Sequence, residues 1–515
     1  MRAEVISACM LAKVTSGATI GLDSIPIIVE VDIATQGLPS FTIVGLPDKA
    51  VEESKERVRA ALKNTGAEFP AKRITVNLAP ADIPKEGPSF DLPIAIGILI
   101  ASGQLACSLS DSIFAGELSL DGSLRSTSSI LPLALLAKEK NFRKVYVPAI
   151  NAKEAAIVDS VGVLPVENIL DLFHHLSGNK VIKPAPKAEI NLDTQSVFEF
   201  DMKDIKGQET AKRALEIASA GSHNVLLKGP PGAGKTLLAR AFPSILPTLT
   251  FEEALEVTKI YSILGKLDPD EPVVNIRPFR SPHHSASAIG LIGGGTHPRP
   301  GEISLAHRGV LFLDEFSEFP RSVLESLRGP LEDGVVTVSR AAASLSFPAK
   351  FTLIAASNPC PCGFLGDNTK ECTCAPGQII RYQKRLSGPI LDRIDLHVEV
   401  PAVKIEKLTG EAESEDSKTV RARVQAARER QLQRFKETPL ASNNEMGPKE
   451  IKEFCKLTAD CLNLLRAAVS KMQLSARGYH RVLKVARTIA DLEGASEINT
   501  QHIAEALQYR AKSEI

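Results

Sequence analysis

A glycine-rich stretch at residues 229–236 carries the most specific chemical signal in the chain. It reads GPPGAGKT and fits the phosphate-binding pattern G-x-x-x-x-G-K-[ST]. An apolar run precedes it and a helical pattern follows it, as a loop that holds phosphates on backbone amides at a helix start requires. We predict that Lys235 reaches the β- and γ-phosphates of ATP and that Thr236 ligates Mg²⁺. The whole predicted binding loop is Gly229, Pro230, Pro231, Gly232, Ala233, Gly234, Lys235 and Thr236.

Two further apolar runs end in polar side chains that suit nucleotide hydrolysis. Residues 309–313 lead into Asp314 and Glu315, and residues 353–357 lead into Asn358. With a phosphate-binding loop upstream, Asp314 is predicted to complete the Mg²⁺ shell and Glu315 to polarise the attacking water. Asn358 is predicted to orient that water against the γ-phosphate.

The order of these motifs resembles the AAA+ class of ATPases, and the resemblance implies roles for three more side chains. Gln208 belongs to a segment that would pack near the adenine, or else is part of a polar loop that caps a helix. Arg393 would point at the γ-phosphate bound by a neighbouring subunit, although it could instead pair with Asp392 or Asp395. Arg477 resembles the sensor arginine of a helical lid.

Arg481, one helical turn after Arg477, is the alternative lid sensor, and either arginine could simply lie on a solvated helix face. Residues 419–435 form a second helical pattern that is rich in arginine. Those arginines would face DNA or solvent, and the sequence leaves both readings open. They are Arg421, Arg423, Arg428, Arg430 and Arg434.

Two inserts distinguish this chain within the class. Residues 277–308 include three consecutive glycines and the side chains His297, Arg299 and His307, and we expect an exposed loop that meets phosphates. Residues 335–347 predict a β-hairpin with Arg340 near its tip. In ring helicases such hairpins grip the DNA backbone, but a hairpin that contacts another subunit is the alternative.

Four of the eight cysteines lie within fifteen positions: Cys360, Cys362, Cys372 and Cys374. Four thiolates match the ligand count of a structural Zn²⁺ site, which we predict here. The alternative is four reduced thiols in a loop.

The N-terminal third alternates strand and helix patterns, with a helix predicted at residues 49–63, a hairpin at 115–122 and a strand at 144–148, which predicts an α+β domain. Its segment PKEGPS resembles the nucleophile segment of Lon-type serine proteases, with Ser89 at the nucleophile position. The position of the base lysine is taken by Leu131, whose apolar side chain cannot accept a proton. The resemblance therefore implies a Lon-protease-like fold without protease activity.

Composition and boundaries frame these motifs. Lys plus Arg and Asp plus Glu both number 61, so a nucleic-acid site must be a local patch. No apolar run is long enough to span a bilayer and no signal-peptide pattern is present, which predicts a cytoplasmic protein without a membrane partner. We predict an α/β chain with an N-terminal domain (1–178), a linker (179–199), a P-loop ATPase core (200–400) and a helical lid (401–515).

Together the segments 204–236, 279–315, 327–332, 357–363, 381–400 and 474–492 resemble the ComM/YifB family of magnesium-chelatase-like ATPases. That resemblance implies a homohexamer that translocates on single-stranded or branched DNA. It also implies branch migration of recombination intermediates in natural transformation, in company with recombination proteins. The alternative is a chelatase-like motor with a protein or metal-chelate client, although a chelatase ATPase subunit is expected to lack the Lon-like domain. A protease and a non-enzymatic scaffold gated by ATP are disfavoured by Leu131 and by the intact hydrolysis set, respectively.

Overall fold

The computed structural model describes residues 11–188, 192, 198–295, 298–339, 344–367, 370–403 and 414–510. The chain forms two compact units. The first contains residues 1–191 and 254–274, and the second contains residues 192–253 and 275–515. The predicted core at 200–400 includes residues 254–274, which the structure assigns to the first unit. The predicted boundaries themselves stay predictions.

The first unit contains two main sheets. One is a mixed sheet in the order β1-β2-β4-β3, and the other is a parallel sheet in the order β5-β8-β9. A two-stranded hairpin, β6-β7, completes the set. The strands are β1 (Leu11–Ile20), β2 (Asp23–Ile33), β3 (Ser40–Val44), β4 (Arg73–Ala79), β5 (Ser112–Phe114), β6 (Glu117–Leu118), β7 (Leu124–Arg125), β8 (Lys144–Pro148) and β9 (Gly162–Val166).

Periodicity explains how these elements bury their apolar sides. Alternate residues of β1 are buried, as expected for a strand that packs one face on a core. Helix Lys49–Asn64 begins at Asp48, whose side chain accepts a hydrogen bond from the Val51 amide. Helix Asp91–Ala101 is buried all round and forms the centre of the larger core cluster. The other helices of this unit are Ile130–Glu139, Ala152–Ala155, Ile169–Leu176 and, from Ala254 onwards, Phe251–Ile263.

The structure describes both Ser89 and Leu131, which occupy the predicted positions of the protease nucleophile and its base. Ser89 lies in the 3₁₀ turn Pro88–Phe90, and its carbonyl accepts a hydrogen bond from the Gly116 amide. Leu131 is fully buried near the start of helix Ile130–Glu139. An apolar side chain in the core has no proton to exchange, so Leu131 supplies no base.

The second unit is built on a five-stranded parallel sheet in the order β11-β14-β17-β10-β18. Its interior strands are buried along their length, as expected for a parallel sheet covered on both faces. The strands of this unit, including those of two small hairpins, are β10 (Val225–Lys228), β11 (Phe279–Arg280), β12 (Gly293–Gly294), β13 (Arg299–Pro300), β14 (Val310–Leu313), β15 (Val335–Ser339), β16 (Ser344–Pro348), β17 (Thr352–Ser357) and β18 (Leu396–Glu399).

The predicted hairpin insert is confirmed, because β15 and β16 pair antiparallel. Helices Ser417–Arg434 and Ala476–Glu493 both pack against helix Glu209–Gly221, and their apolar residues share one core with the parallel sheet. The remaining helices are Lys235–Ala241, Ala288–Ile292, Glu302–Leu305, Arg321–Ser326, Arg328–Asp333, Pro376–Gln383, Gly388–Leu391, Pro448–Phe454, Ala459–Met472 and Thr500–Gln508.

Four of the five arginines predicted to line helix Ser417–Arg434 make contacts within the second unit. Arg428 is buried and donates to the Ser219 carbonyl, and Arg434 pairs with the buried Asp491. Arg423 pairs with Glu216, and Arg430 donates to the Asp491 carbonyl. These four guanidinium groups tie the C-terminal helices to each other and to the rest of the unit. Arg428 and Arg434, which are the least exposed of them, therefore belong neither to a DNA-facing stripe nor to a solvated face.

None of the described helices combines the length and the apolar character needed to cross a lipid bilayer.

Candidate nucleotide-binding site

The glycine-rich loop connects β10 to helix Lys235–Ala241 at the carboxyl edge of the parallel sheet. Gly232 and Gly234 have φ values of 77° and 88°, a region that side chains disfavour. At Gly229 an added Cβ would lie 2.0 Å from the Val400 carbonyl oxygen. Three glycines are therefore required by backbone geometry, and the tight loop that the sequence predicts is present.

Lys235 lies at the centre of the loop and is buried. Its Nζ donates to the carbonyl oxygens of Gly229 and Pro230 at 2.7 and 2.8 Å and to Asn358 Oδ1 at 3.1 Å. Burial lowers the pKa of Lys235, an effect that the nearby Asp314 carboxylate opposes. The bond to Asn358 brings together the loop and the end of β17, as the sequence predicts.

The two predicted Mg²⁺ ligands are adjacent. Thr236 Oγ1 donates to Asp314 Oδ2 at 2.8 Å, and Asp314 Oδ1 accepts from the Glu315 amide at 2.9 Å. A hydroxyl and a carboxylate beside a phosphate-binding loop are the hard oxygen ligands that Mg²⁺ takes together with substrate phosphates. The residues present therefore fit the metal that the sequence implies.

Glu315 follows Asp314 in a left-handed conformation with φ of 51°, and its side chain is 56% exposed. Its carboxylate lies 3.0 Å from His284 Nδ1. The His284 ring packs on His283, with ring centroids 4.0 Å apart, and meets the edge of Phe319. The proposed base is thus exposed to solvent yet held by one imidazole.

Sequence reasoning missed this role of His284. It placed residues 280–284 in an insert that meets phosphates, although Arg280 belongs to β11 and the next four residues directly follow that strand. Because β11 pairs with β14 in parallel, the residues after both strands emerge at the same edge of the sheet. A strand assignment for Phe279 and Arg280 would have placed this segment at the correct edge of the sheet, without identifying the partner of His284.

The Gln208 side chain contacts the site through hydrogen bonds to two backbone carbonyls. Its Nε2 donates to the Ala233 carbonyl at 3.2 Å and to the Pro401 carbonyl at 2.6 Å. The residue precedes helix Glu209–Gly221 with a φ of 62°. It therefore connects the phosphate loop with the segment that follows β18, and its predicted contact with adenine stays a prediction.

One carboxylate holds both predicted arginines of the second unit. Glu332 Oε1 lies 2.5 Å from Arg393 Nη2 and 3.3 Å from Arg477 Nη2. Arg393 is 4% exposed, whereas the Arg477 side chain is 61% exposed. Among the described residues the carboxylate partner of Arg393 is thus Glu332 rather than Asp392 or Asp395, and the sequence did not single out Glu332.

Arg481 has a different environment from Arg477. It pairs with the buried Asp395 at 2.5 Å and donates to the Arg393 carbonyl. Asp395 also accepts from the Asn224 amide, immediately before β10. Arg481 therefore stabilises the packing of its own unit, while Arg477 is the more accessible of the two.

The structure describes two of the four residues predicted to contact phosphates or DNA. Arg299 is exposed in the β12-β13 hairpin. His297 and Arg340 lie outside the described residues. The prediction that His307 lies in an exposed loop is wrong. The residue is 1% exposed, and its Nδ1 accepts a hydrogen bond from the Lys350 amide.

The four clustered cysteines converge after β17. Their sulfur atoms all lie within 4.8 Å of one another, and Cys360 is buried while the others are partly exposed. The predicted grouping is thus present in the structure.

Comparison with known families covers most of the chain. The model described as magnesium chelatase, subunit ChlI, matches residues 201–408. The model described as subunit ChlI of Mg-chelatase matches residues 29–151, and the model for the ChlI C-terminal region matches residues 414–510.

Two of the relatives are similar over nearly their full length. The chain is 47% identical to Competence protein ComM of Haemophilus influenzae and 44% identical to the protein named "Uncharacterized protein YifB" in Escherichia coli, with 97% of each chain covered in both cases. It is 26% identical to the magnesium-chelatase 38 kDa subunit of Rhodobacter capsulatus, over 60% of this chain and 85% of that one. From its phosphate loop to its C-terminal helices, the chain therefore belongs to the ComM/YifB family of magnesium-chelatase-like proteins.

Proposed function

We propose that this protein is an ATP-driven DNA translocase that works as a homohexameric ring. The observation that carries the proposal is the meeting of Lys235, Thr236, Asp314 and Asn358 at one sheet edge, with Glu315 beside them. This is a complete set for binding a nucleoside triphosphate and activating water. The magnesium-chelatase family membership supports the same activity.

Each side chain has a distinct task in this proposal. Lys235 leaves its two carbonyl partners and binds the β- and γ-phosphates, while Thr236 and Asp314 hold Mg²⁺, which neutralises charge that develops on the phosphates. Glu315 accepts the proton of the attacking water, and Asn358 orients that water.

Arg393 completes the site in the proposed ring. Arg393 would stabilise transition-state charge on a neighbouring subunit's nucleotide, which requires it to leave Glu332. A carboxylate shared by two arginines makes that exchange less costly, because Arg477 continues to neutralise Glu332. We infer that Glu332 holds the Arg393 side chain in place until a neighbouring subunit docks.

Support for a DNA substrate comes from the ComM relative, whose name links it to competence. We propose that the protein promotes branch migration of recombination intermediates in natural transformation. Its contacts with single-stranded or branched DNA would involve Arg299 and Arg340, as the sequence predicts. His297 is a further candidate contact.

A chelatase-like motor with a protein or metal-chelate client is the second candidate. The 85% coverage of the Rhodobacter capsulatus chelatase subunit favours it. A family model described as subunit ChlI also matches residues 29–151, so the N-terminal region gives no argument against this candidate. The two candidates differ in whether DNA stimulates hydrolysis.

The deciding experiment measures ATP hydrolysis with and without single-stranded and branched DNA, using wild type and Glu315→Gln. Removing the base should lower the rate by about 10²–10⁴-fold while ATP still binds. Stimulation of wild type by DNA supports the translocase, and Arg340→Ala should then hydrolyse ATP without moving along DNA. Turnover that ignores DNA would contradict the translocase and direct attention to a protein or metal-chelate client.

A further inference from the structure

Three of the four cysteines after β17 have sulfur spacings close to those of a tetrahedral metal site, and the fourth sulfur, of Cys374, lies within 4.8 Å of them. Cys360 Sγ lies 3.4 Å from Cys362 Sγ and 3.7 Å from Cys372 Sγ, and the Cys362 and Cys372 sulfurs are 3.6 Å apart. Four thiolates at about 2.3 Å from a central Zn²⁺ stand about 3.8 Å from one another. A disulfide would require sulfur atoms about 2.05 Å apart, so these distances match ligands around one ion rather than cross-links.

Hydrogen bonding around the sulfurs supports the same reading. Cys374 Sγ accepts a hydrogen bond from the Cys362 amide at 3.4 Å. Amide donors to sulfur stabilise thiolate charge and orient the ligand, as outer contacts of metal sites do. A tetrahedral set of four sulfur ligands is diagnostic of zinc or an iron–sulfur centre, and a closed four-cysteine set is the usual structural zinc site.

The position of the cluster connects it to the nucleotide site. Cys360 follows Asn358 by two residues, and Asn358 is the hydrogen-bond partner of Lys235. Gly363, next to Cys362, has a φ of 86°, and a Cβ added there would lie 2.5 Å from Cδ of Pro231. The cysteine segment therefore lies directly on the phosphate-binding loop and needs a glycine to do so.

We propose that Cys360, Cys362, Cys372 and Cys374 bind one Zn²⁺ per chain, and that this ion fixes Asn358 and Gly363 against the phosphate-binding loop. Zinc then acts as a positioning element for the nucleotide site and takes no part in the chemistry. The effect on hydrolysis rests on the function proposed above, whereas the metal content and the nucleotide affinity do not.

The first test compares wild type with Cys372→Ser/Cys374→Ser and with the control Cys107→Ser, which removes a cysteine outside the cluster. Elemental analysis should find about one zinc per chain in wild type and the control and much less in the double variant. Cobalt substitution should give the visible absorption of a tetrahedral thiolate site only where the four cysteines are intact. Wild type purified under reducing conditions that holds no metal and takes up none would overturn the proposal.

The second test separates metal binding from its effect on the nucleotide site. Gly363→Ala keeps all four thiolates but forces the segment away from Pro231. It should retain zinc while binding a fluorescent ATP analogue more weakly, and its hydrolysis should fall roughly ten- to a hundredfold, the cost of a displacement near 1 Å. Wild-type affinity and turnover in Gly363→Ala would overturn the positioning role. If wild type binds nucleotide but hydrolyses none, the proposed function fails, while zinc content and nucleotide affinity still decide this inference.

Discussion

At the scale of single residues, Glu315 is held by a partner that lies far from it in sequence. The 3.0 Å contact with His284 fixes a carboxylate that would otherwise sample several rotamers at an exposed position. Orientation of the base is expected to affect the chemical step more than the binding of ATP, because the proposed task of Glu315 is to accept a proton from the attacking water and not to hold the nucleotide.

We therefore expect His284→Ala to lower kcat roughly tenfold with little change in KM, the loss expected for one hydrogen bond to a charged group. Steady-state kinetics would measure both. His283→Ala is the matched control, since His283 stacks on His284 but has Ser285 as its hydrogen-bond partner. Equal effects of the two substitutions would indicate a general role of the loop rather than orientation of Glu315.

The sequence predicts those site residues that come after apolar runs with the character of buried strands. Lys235, Asp314 and Asn358 each follow an apolar run, and parallel strands bring such positions to one edge. His284 and Glu332 could not be predicted in this way, because their partners are set by the packing of short segments. His307 is wrong as a phosphate contact because the pattern around it does not reveal that its ring bonds to the Lys350 backbone.

At the scale of elements, Asp395 joins a strand to a C-terminal helix. It is buried, accepts from the Asn224 amide before β10 and pairs with Arg481 on helix Ala476–Glu493. Burial alone would raise the pKa of Asp395, but the attraction of Arg481 and contact with His223 outweigh it and hold that pKa far below its usual range. The carboxylate thus stays charged and stabilises the folded state.

Asp395→Asn should lower the free energy of unfolding by about 3–5 kcal/mol at pH 7, because it leaves the Arg481 guanidinium without its partner. Urea titration of both proteins measures the difference, with Asp392→Asn as an exposed neighbouring control. Since the folded pKa is depressed, the contribution is complete above the unfolded value near 4 and is lost as the pH falls through and below it. The gap between wild type and Asp395→Asn should therefore shrink below about pH 4, and a gap that widens there would contradict the assignment.

The elements themselves were largely predictable, with specific exceptions. Residues 49–63 and 144–148 fall on a helix and a strand as their periodicity indicates. The hairpin expected at residues 115–122 is present but continues to Arg125, because Gly122, with a φ of 89°, lies in its turn rather than at its end. Arg428 and Arg434 were misread because guanidinium groups can be buried when carbonyls and carboxylates surround them.

At the scale of the whole molecule, the ring model makes each nucleotide site depend on two subunits. Lys235→Ala should disable the site of its own subunit, and Arg393→Ala should disable the site of its neighbour. Each variant alone is expected to be inactive.

Mixing the two variants before assembly should restore hydrolysis, because about one quarter of the interfaces in a random ring of heterologous contacts combine two intact halves. Rate measurements over a series of mixing ratios would show a maximum near equal amounts. If Arg393 serves its own subunit, no mixture gains activity. Size-exclusion chromatography of both variants with ATP confirms that assembly itself is intact.

The division of the chain into two units determines which fragments of the protein can be isolated. Residues 254–274 belong to the first unit, although the residues on both sides of them belong to the second. Within the first unit Ser262 donates to Glu154 and accepts from the Ser129 amide, and Leu255 and Val273 pack on the core around Leu131.

A single proteolytic cut near residue 192 would therefore leave residues 1–191 associated with the remainder through residues 254–274, and we expect the two fragments to elute together until denaturant is added. A truncated protein that begins at residue 198 would instead expose Leu255 and Val273 to water and should aggregate. Excision of the ATPase for separate study thus requires replacing residues 254–274 by a short polar linker, since neither unit is a continuous stretch of chain.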